Sequence, residues 1–326
     1  MTGATFGDPE KFHDLACPCC RSQLTVEDEI LICSSTDCSS QFPVVDGRPV
    51  LINEANSIFD IADFESHKIT TMDLREDAPV ERSPGQLLRK LLNTITPGVS
   101  HDCADYTVHD AAQDIDRQCD KRARILVIGA GDAPLEARGN STIVYSDVAI
   151  GRLTDLVFDA HDIPFPDASF DGVLAVAVLE HVADPARVVA EVHRVLKPGG
   201  RVFAITPFMQ QVHLGRYDFT RFTHLGHRRL FRWFTEEKSG VANGPGMVLA
   251  WALDRWMAGL SGNRVVRAGL RTIARLVGFP FSISDRWLKH GSAAYDNASA
   301  YYFYGTRAEQ AVSDREIVNT YKGTMQ

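Results

Sequence analysis

Long hydrophobic runs are missing from this sequence of 326 residues. The longest apolar stretches, 173–179 and 247–253, have seven residues each, whereas a helix that spans a bilayer needs about 18. The first 14 residues also lack the basic and apolar segments of a secretory signal. We therefore expect a protein without transmembrane helices that stays in the cytoplasm.

A surplus of basic residues is also absent. Lys and Arg total 34 against 42 for Asp and Glu, which gives a formal net charge of −8. Proteins that bind nucleic-acid phosphates usually carry the opposite imbalance, so nucleic acid is a disfavoured partner. With 44% hydrophobic and 23% charged residues, the composition is typical of a folded globular protein. The length allows one large domain with additions, or two domains.

Cysteine is scarce outside one segment, which holds five of the seven cysteines. Cys17 and Cys20 form one pair, and Cys33 and Cys38 form a second. Two such pairs can supply four thiolates to one tetrahedral ion, and a reducing compartment disfavours disulfides. We predict a structural zinc site with these four ligands. Cys19 is left out of the set, although the spacing leaves open that it replaces Cys20.

Two apolar strands follow the second cysteine pair in residues 41–52, joined by a turn at Asp46-Gly47. Together with Leu-Ala-Cys-Pro at 15–18, this pattern resembles the small zinc-ribbon methyltransferase-activator family over residues 13–52. The resemblance implies a module that scaffolds or contacts the rest of the chain. Because the module is so small, metal binding should supply much of its folding free energy.

The sequence changes character several times along the chain. A helix is predicted near Gly85–Asn93, where leucines recur at helical spacing. The predicted segments are a zinc-ribbon module (1–55), a linker with helices (56–120), a core (121–242), a helical insertion or lid (243–298), the last core strand (299–308) and a tail (309–326).

From residue 125 onward, short buried strands alternate with turns and helices, which favours a parallel α/β sheet. Gly129 and Gly131 follow the first strand, in a loop where backbone can approach a ligand closely. Pro134 stands where a dinucleotide-binding fingerprint would have its third glycine, so an NAD site is disfavoured. A helix is predicted at 185–196, and strands at 125–128, 142–145, 155–158, 172–178, 201–206, 235–241 and 300–306.

Acidic residues follow the second and third predicted strands. Asp147 ends the second strand, where a carboxylate can accept hydrogen bonds from two ribose hydroxyls. Asp159 ends the third strand, where it could accept a hydrogen bond from an adenine amine. Because parallel strands end at the same edge of a sheet, we expect both acids to border one crevice.

Residues 125–207 resemble the class I S-adenosylmethionine (SAM) methyltransferases, in the branch of the ubiquinone/menaquinone C-methyltransferases. The resemblance implies a Rossmann-like sheet of seven mostly parallel strands, here with a small N-terminal β zinc ribbon, and SAM as the cofactor. It also implies that Gly129 and Gly131 line the methionine part of SAM, Asp147 holds the ribose, and Asp159 with the Ala160 backbone holds adenine. The resemblance rests on four sequence motifs: VIGAG (127–131), DAHDIPFPDASFD (159–171), LEHV (179–182) and RVLKPGG (194–200).

This chain departs from that pattern in three places. Val127 replaces an acid, and Ala133 replaces a third glycine. The stretch after Asp147 is also short, so the second helix should shrink to about one turn near residues 150–153.

Histidines are the candidates for acting on the methyl acceptor, because a hydroxyl or acidic carbon must lose a proton during transfer. His181 follows the fourth strand, where either catalysis or a place in the pocket wall fits the pattern. His213 lies in the loop after the fifth strand, which is expected to cover the acceptor. The other polar candidates of that loop are Tyr217, Asp218, Arg221 and His224.

A basic segment separates the last two strands. Residues 246–290 hold seven basic residues against two acidic ones, and Trp251, Trp256 and Trp287 flank its central part. We expect a helical lid that packs on the core with its arginines in solvent. The alternative is a peripheral contact with an anionic membrane or a lipid-linked acceptor. One predicted helical face carries Arg264, Arg267, Arg271 and Arg275, and the other carries Val266, Leu270, Ile273 and Val277.

The sequence thus predicts a SAM-dependent methyltransferase that acts on a small-molecule, sugar or lipid-linked acceptor at oxygen. One alternative is an rRNA methyltransferase. The negative net charge disfavours it, and so does the absence of the Pro-Pro motif that is common among nitrogen methylases. The other is a non-catalytic SAM-binding partner protein. The expected location is cytoplasmic, with the inner membrane face as the site of any peripheral contact.

Overall fold

The computed structural model describes residues 9–68, 70–71, 102–131, 134–135 and 141–324. The helix predicted near Gly85–Asn93 and the departure at Ala133 lie outside these residues. The strands are β1 (Leu24–Glu27), β2 (Ile30–Cys33), β3 (Gln41–Val45), β4 (Arg48–Leu51), β5 (Arg124–Ile128), β6 (Thr142–Asp147), β7 (Leu156–Phe158), β8 (Phe170–Val176), β9 (Leu196–Pro207), β10 (Phe234–Asn243) and β11 (Ala300–Arg307). The helices are α1 (Pro9–Phe12), α2 (Ile61–Glu65), α3 (Val108–Gln118), α4 (Pro185–Val195), α5 (His224–Leu230), α6 (Pro245–Gly259), α7 (Arg264–Leu288), α8 (Ser292–Asn297) and α9 (Asp314–Asn319), with a 3-10 turn at Gly215–Tyr217.

The strands form one sheet in the order β1-β2-β3-β4-β7-β6-β5-β8-β9-β11-β10. Strands β7, β6, β5, β8 and β9 run parallel to one another, and β11 is antiparallel to its two neighbours. The central strands are buried on both faces, which explains why β5 is a continuous apolar run. Strands β5 to β11 are the seven predicted strands, and the Rossmann-like α/β fold class is confirmed.

The N-terminal β-ribbon extends this sheet. Strand β4 pairs in parallel with β7, so that Val50 lies opposite Val157 and Leu51 lies opposite Phe158. Side chains of the ribbon and of the parallel strands belong to one hydrophobic cluster, which includes Phe42. The ribbon therefore shares the core of the large sheet. The predicted division of the chain into segments stays a prediction.

The predicted turn between the two ribbon strands is present. Asp46 has φ of 50° and Gly47 has φ of 73°, and Val45 pairs with Arg48 across the turn. A two-residue turn with positive φ at both positions suits Asp-Gly, because glycine pays no steric cost there and Asp tolerates it. The side chain of Arg48 then donates to the Thr154 carbonyl at 2.7 Å, which ties the hairpin to the loop before β7.

The one-turn helix predicted at residues 150–153 is wrong. Between β6 and β7 the chain makes a bend in which Thr154 N donates to Gly151 O at 3.3 Å. The Thr154 hydroxyl accepts from Gly151 N and donates to Ala149 O. These side-chain bonds satisfy the backbone groups that a helical turn would have paired, so the short connection closes without a helix.

Helices α6 and α7 form a hairpin whose packing differs from the predicted lid. Apart from Asp285, the buried positions of α7 are small residues, Ala274, Gly278 and Ser282. A Cβ on Gly246 would lie 1.9 Å from Phe281 O, so the two helices approach closely at this glycine. The prediction that all four arginines point into solvent is wrong for Arg271 and Arg275, which both pair with the buried Asp254, at 2.9 Å and 4.0 Å. The exposed large apolar side chains of α7 are Val265, Val266, Ile273, Leu276, Val277, Phe281, Trp287 and Leu288.

Candidate active site

A cavity of about 350 Å³ lies at the carboxyl ends of β5, β6 and β7. This is the edge of a parallel sheet at which ligands of such folds bind, and the volume is within the range of small-molecule pockets. The structure brings all seven residues predicted for cofactor binding and catalysis to its wall. They are Gly129, Gly131, Asp147, Asp159, Ala160, His181 and His213.

The glycine turn after β5 has a conformation that other residues rarely adopt. Gly129 has φ of +69° and Gly131 has φ of +54°. A Cβ on Gly129 would also lie 2.4 Å from Val178 Cγ2, whereas a Cβ on Gly131 would meet no atom of the described residues within 4 Å. Gly129 is therefore required both by its backbone angle and by the close approach of Val178, which follows β8.

Two backbone amides fix the carboxylate of Asp147. Gly131 N donates to Oδ2 at 3.0 Å, and Ala149 N donates to Oδ1 at 3.0 Å. The glycine turn and the end of β6 are thereby joined at the cavity wall. A carboxylate has further lone pairs, so Asp147 can still accept hydrogen bonds from a ligand.

Asp159 is buried and held from two sides. Ser57 Oγ donates to Oδ2 at 2.6 Å, and the His161 backbone N donates to Oδ1 at 3.0 Å. Burial alone would raise the pKa of Asp159, but its hydrogen bonds with the His161 ring and Ser57 outweigh burial and hold the pKa below its usual value. Asp159 is thus ionised near neutral pH.

Sequence reasoning missed the contribution of residues 57–59, which it assigned to a linker. Ile58 and Phe59 line the cavity, and the Phe59 ring stacks on Tyr217 with centroids 5.7 Å apart. The sequence feature that could have indicated this contribution is the adjacent Ile-Phe pair within a polar stretch. The segment after the zinc-ribbon pattern therefore forms part of the cavity wall and meets the loop that follows β9.

That loop, residues 208–223, is fixed over the end of β8. The backbone amides of Phe219 and Thr220 both donate to Glu180 O, at 2.7 Å and 3.2 Å. This brings His213 next to His181, with Nε2 atoms 2.9 Å apart and ring centroids 4.6 Å apart. Two histidines separated by 32 residues in sequence thus meet in the cavity wall.

The histidine pair is partly withdrawn from solvent. Burial lowers the pKa of both His181 and His213, so that their neutral forms are favoured. The neighbouring Glu180 was not among the predicted site residues, although it belongs to the LEHV phrase. Its side chain is 0% exposed, and burial raises its pKa to about 7. No sequence signal distinguished this buried acid from one that faces solvent.

The remaining polar residues of the predicted loop take other positions. Arg221 binds the carboxylate of Asp218 through both terminal nitrogens. His224 is half-buried outside the cavity and makes an edge contact with Tyr295. Tyr217 contributes its backbone carbonyl, which lies 2.8 Å from His181 Nδ1.

The four cysteines predicted as metal ligands form one cluster. Cys17 Sγ lies 3.8 Å from Cys38 Sγ, and Cys20 Sγ lies 3.3 Å from Cys33 Sγ. Thiolates around a tetrahedral zinc ion are about 3.8 Å apart, given Zn–S bonds of about 2.3 Å, so the cluster fits such an ion. Cys19 is exposed and is not in the group.

Residues 129–204 match the family model described as "Methyltransferase domain". This part of the chain is similar to a methyltransferase domain. Its matched residues include the glycine turn, Asp147, Asp159 and His181, whereas His213 and the cysteine cluster lie outside the match.

Curated relatives resemble parts of this region. A demethylmenaquinone methyltransferase of Symbiobacterium thermophilum is 42% identical over 60 residues, which are 18% of this chain and 24% of that protein. The chloroplastic tocopherol O-methyltransferase of Arabidopsis thaliana is 34% identical over 79 residues, which are 24% of this chain and 23% of that protein. The chain thus spans about a quarter of the length of these relatives.

Solved structures resemble the chain at lower identity. One is the Burkholderia thailandensis 1,6-didemethyltoxoflavin-N1-methyltransferase with bound 1,6-didemethyltoxoflavin and S-adenosylhomocysteine. It is 14% identical, with a TM-score of 0.38 over 72% of this chain and 94% of that chain. No helix among the described residues is long and apolar enough to cross a membrane.

Proposed function

We propose that the protein is a SAM-dependent methyltransferase that transfers a methyl group to a small-molecule, sugar or lipid-linked acceptor, at oxygen. The observation that carries the proposal is the single cavity to which the glycine turn, both acids and both histidines contribute. The match of residues 129–204 to a methyltransferase domain supports the same activity.

The residues of the cavity fit SAM in their chemistry. Asp147 can accept hydrogen bonds from ribose hydroxyls, and Asp159 with the Ala160 backbone can hold adenine. Gly129 and Gly131 leave room for the methionine part. When bound, SAM supplies an electrophilic methyl group, and the chain's own residues orient the two reactants and exclude water.

The acceptor is assigned to the part of the cavity near His181 and His213. An imidazole nitrogen can accept a proton from a hydroxyl, or it can ligate an ion that binds the hydroxyl oxygen. The two curated relatives are named for demethylmenaquinone and tocopherol, which supports a small-molecule acceptor.

We assign a structural zinc ion to Cys17, Cys20, Cys33 and Cys38. The cluster has the donor set of a closed tetrahedral site. Because Cys17 and Phe42 share one hydrophobic cluster with Phe158, the ion would stabilise the strand that carries Asp159 as well as the ribbon.

We also assign a peripheral contact with an anionic membrane to the α6–α7 hairpin. Trp256 is 64% exposed, Leu260 is 57% exposed and Val265 is 75% exposed, all close to the turn between the helices. Arg264 and Arg267 lie beside them. Apolar side chains next to basic ones are complementary to an anionic lipid surface.

Calorimetry with S-adenosylhomocysteine, the demethylated product of SAM, tests the proposed activity. We expect one site per chain in the purified protein and no measurable binding in Asp147→Ala. Asp167→Ala is the matched control, because Asp167 is exposed and pairs with Arg194 outside the cavity. If the folded protein binds neither SAM nor its product, the proposal is wrong.

Labelled SAM then identifies the acceptor. Extract metabolites incubated with the protein should gain one labelled methyl group, detected by mass spectrometry, and should not gain it with Asp147→Ala. Fragmentation of the product gives the methylated atom. A product methylated at carbon or nitrogen would overturn the assignment to oxygen.

A further inference from the structure

A second group of metal-binding side chains, apart from the four cysteines, includes two residues of the cavity wall. It consists of Glu180, His181 and His213. The two Nε2 atoms are 2.9 Å apart, and Glu180 Oε1 lies 3.6 Å from His181 Nε2 and 3.7 Å from His213 Nε2. A point equidistant from these three atoms is about 2 Å from each, the length of a zinc bond to a histidine nitrogen or a carboxylate oxygen.

Hydrogen bonding leaves the Nε2 lone pair of His181 facing this point. His181 Nδ1 lies 2.8 Å from the Tyr217 carbonyl, which can only accept, so Nδ1 carries the proton of the neutral ring. His213 Nδ1 has no hydrogen-bond partner among the described residues, and it lies 3.5 Å from Asp218 Oδ2. Because Nε2 of His181 presents a lone pair, the 2.9 Å contact between the two Nε2 atoms requires either an N–H on His213 or a metal ion between the rings.

The buried position of Glu180 favours a metal ion over a proton between the two histidine rings. Its carboxylate is fully buried, and neither oxygen has a hydrogen-bond partner within the described part of the chain. A buried carboxylate without a partner is costly. A neutral His213 that donates its Nε2–H to His181 would leave both oxygens of Glu180 without a bond. A divalent ion bonded to Oε1 and to both Nε2 atoms satisfies all three groups.

The surroundings of the histidines also suit a metal site. Histidine ligands usually donate their second ring N–H to a carbonyl or a carboxylate, which fixes the ring and raises its basicity. Here the Tyr217 carbonyl serves His181 and the Asp218 carboxylate faces His213. Asp218 is in turn held by Arg221. The loop thus holds both rings before an ion arrives.

We propose that Glu180, His181 and His213 bind one divalent transition-metal ion in the cavity wall. Two imidazoles and one carboxylate are a donor set for zinc or iron(II), and three protein ligands leave open positions. An oxygen atom of the acceptor occupies an open position, a role that rests on the proposed function. The two histidines then act as ligands of the ion and not as free bases.

Cobalt(II) titration of the metal-free, full-length protein tests the site. We expect two cobalt ions per chain, counted by mass spectrometry of the dialysed protein. One should show sulfur-to-cobalt charge-transfer absorption from the cysteine cluster, and the other should lack it. Glu180→Gln and His213→Asn should keep the sulfur band and bind the second ion at least about 100-fold more weakly.

His290→Asn is the matched control, because His290 is exposed and lies outside the group. It should bind both ions. Circular dichroism identifies a variant that does not fold, and Glu180→Gln decides the question if His213→Asn is such a variant. The proposal is overturned if the wild type binds only the thiolate-ligated ion, or if folded Glu180→Gln binds both ions like the wild type.

Product calorimetry on the same samples separates this proposal from the proposed function. If the protein binds the second ion but not S-adenosylhomocysteine, the proposed methyltransferase activity is wrong and the proposed metal site is supported. If the protein binds S-adenosylhomocysteine but not the second ion, the proposed metal site is wrong and the proposed activity is supported.

Discussion

Ser57 donates a hydrogen bond to Asp159 across 2.6 Å, although the two residues are 102 positions apart. Ser57 follows the ribbon strand β4, and Asp159 follows β7, which pairs with β4. The pairing of these strands therefore brings the end of the N-terminal module to the acid assigned to adenine. Through this contact the module contributes to the cofactor site as well as to the core.

Ser57→Ala should weaken binding of S-adenosylhomocysteine by about 3- to 30-fold, because Asp159 loses a charge-assisted hydrogen bond that orients it. Calorimetry measures the change. Ser284→Ala is the control, since Ser284 is exposed and bonds only within its own helix. Equal affinity in Ser57→Ala and the wild type would mean that Asp159 needs no support from the ribbon side.

Gly129→Ala should destabilise the protein by about 2–4 kcal/mol, because its Cβ combines positive φ with overlap of Val178. Gly131→Ala should destabilise the protein by only about 1 kcal/mol, since the positive φ is the one unfavourable feature of an alanine there. Urea unfolding of the two variants gives the difference. Equal free energies of unfolding would contradict the close approach at Gly129.

Acid should destabilise the fold through His227, which is fully buried. Burial lowers its pKa to about 3, and burial lowers that of the adjacent His224 to about 4. The unfolded chain takes up protons near the ordinary histidine pKa of about 6.5, while the folded chain does not. Stability is therefore highest above that pH and falls as the pH decreases, by about 2 kcal/mol at pH 5 for His227 alone.

His227→Phe tests this prediction, because Phe keeps an aromatic ring beside Phe231 and Tyr301 and does not titrate. The unfolding free energy should fall less between pH 7 and pH 5 in this variant than in the wild type. His290→Phe should leave the wild-type pH dependence unchanged. The same pH dependence in all three proteins would show that His227 is not kept neutral by the fold.

The α6–α7 hairpin should bind vesicles that contain anionic lipid, and binding should weaken as salt is added. Leu260→Glu combined with Val265→Glu should reduce the bound fraction at least about tenfold, because the apolar side chains can no longer insert. Sedimentation with vesicles measures the fraction. Val318→Glu is the control, since Val318 is equally exposed on another helix. Absence of binding, or equal loss in the control, would dismiss the membrane contact.

Local patterns in the sequence carried the prediction of the sheet and much of the cavity. Buried strands such as Ile125–Ile128 and the turn at Asp46-Gly47 depend on residues that are neighbours in the chain. Asp147 and Asp159 could be assigned to one crevice because parallel strands end at the same edge. The cysteine spacing likewise predicted the cluster that the fold assembles.

Only the tertiary structure decided which distant residues meet. The sequence could not show that Ser57 reaches Asp159, that Glu180 is buried beside two histidines, or that the apolar side of α7 faces outward. Each of these depends on packing between elements far apart in the chain, and helical or strand periodicity contains no information about which face a neighbour covers. Periodicity and turn residues act over a few positions, whereas the burial of a single side chain depends on the whole fold.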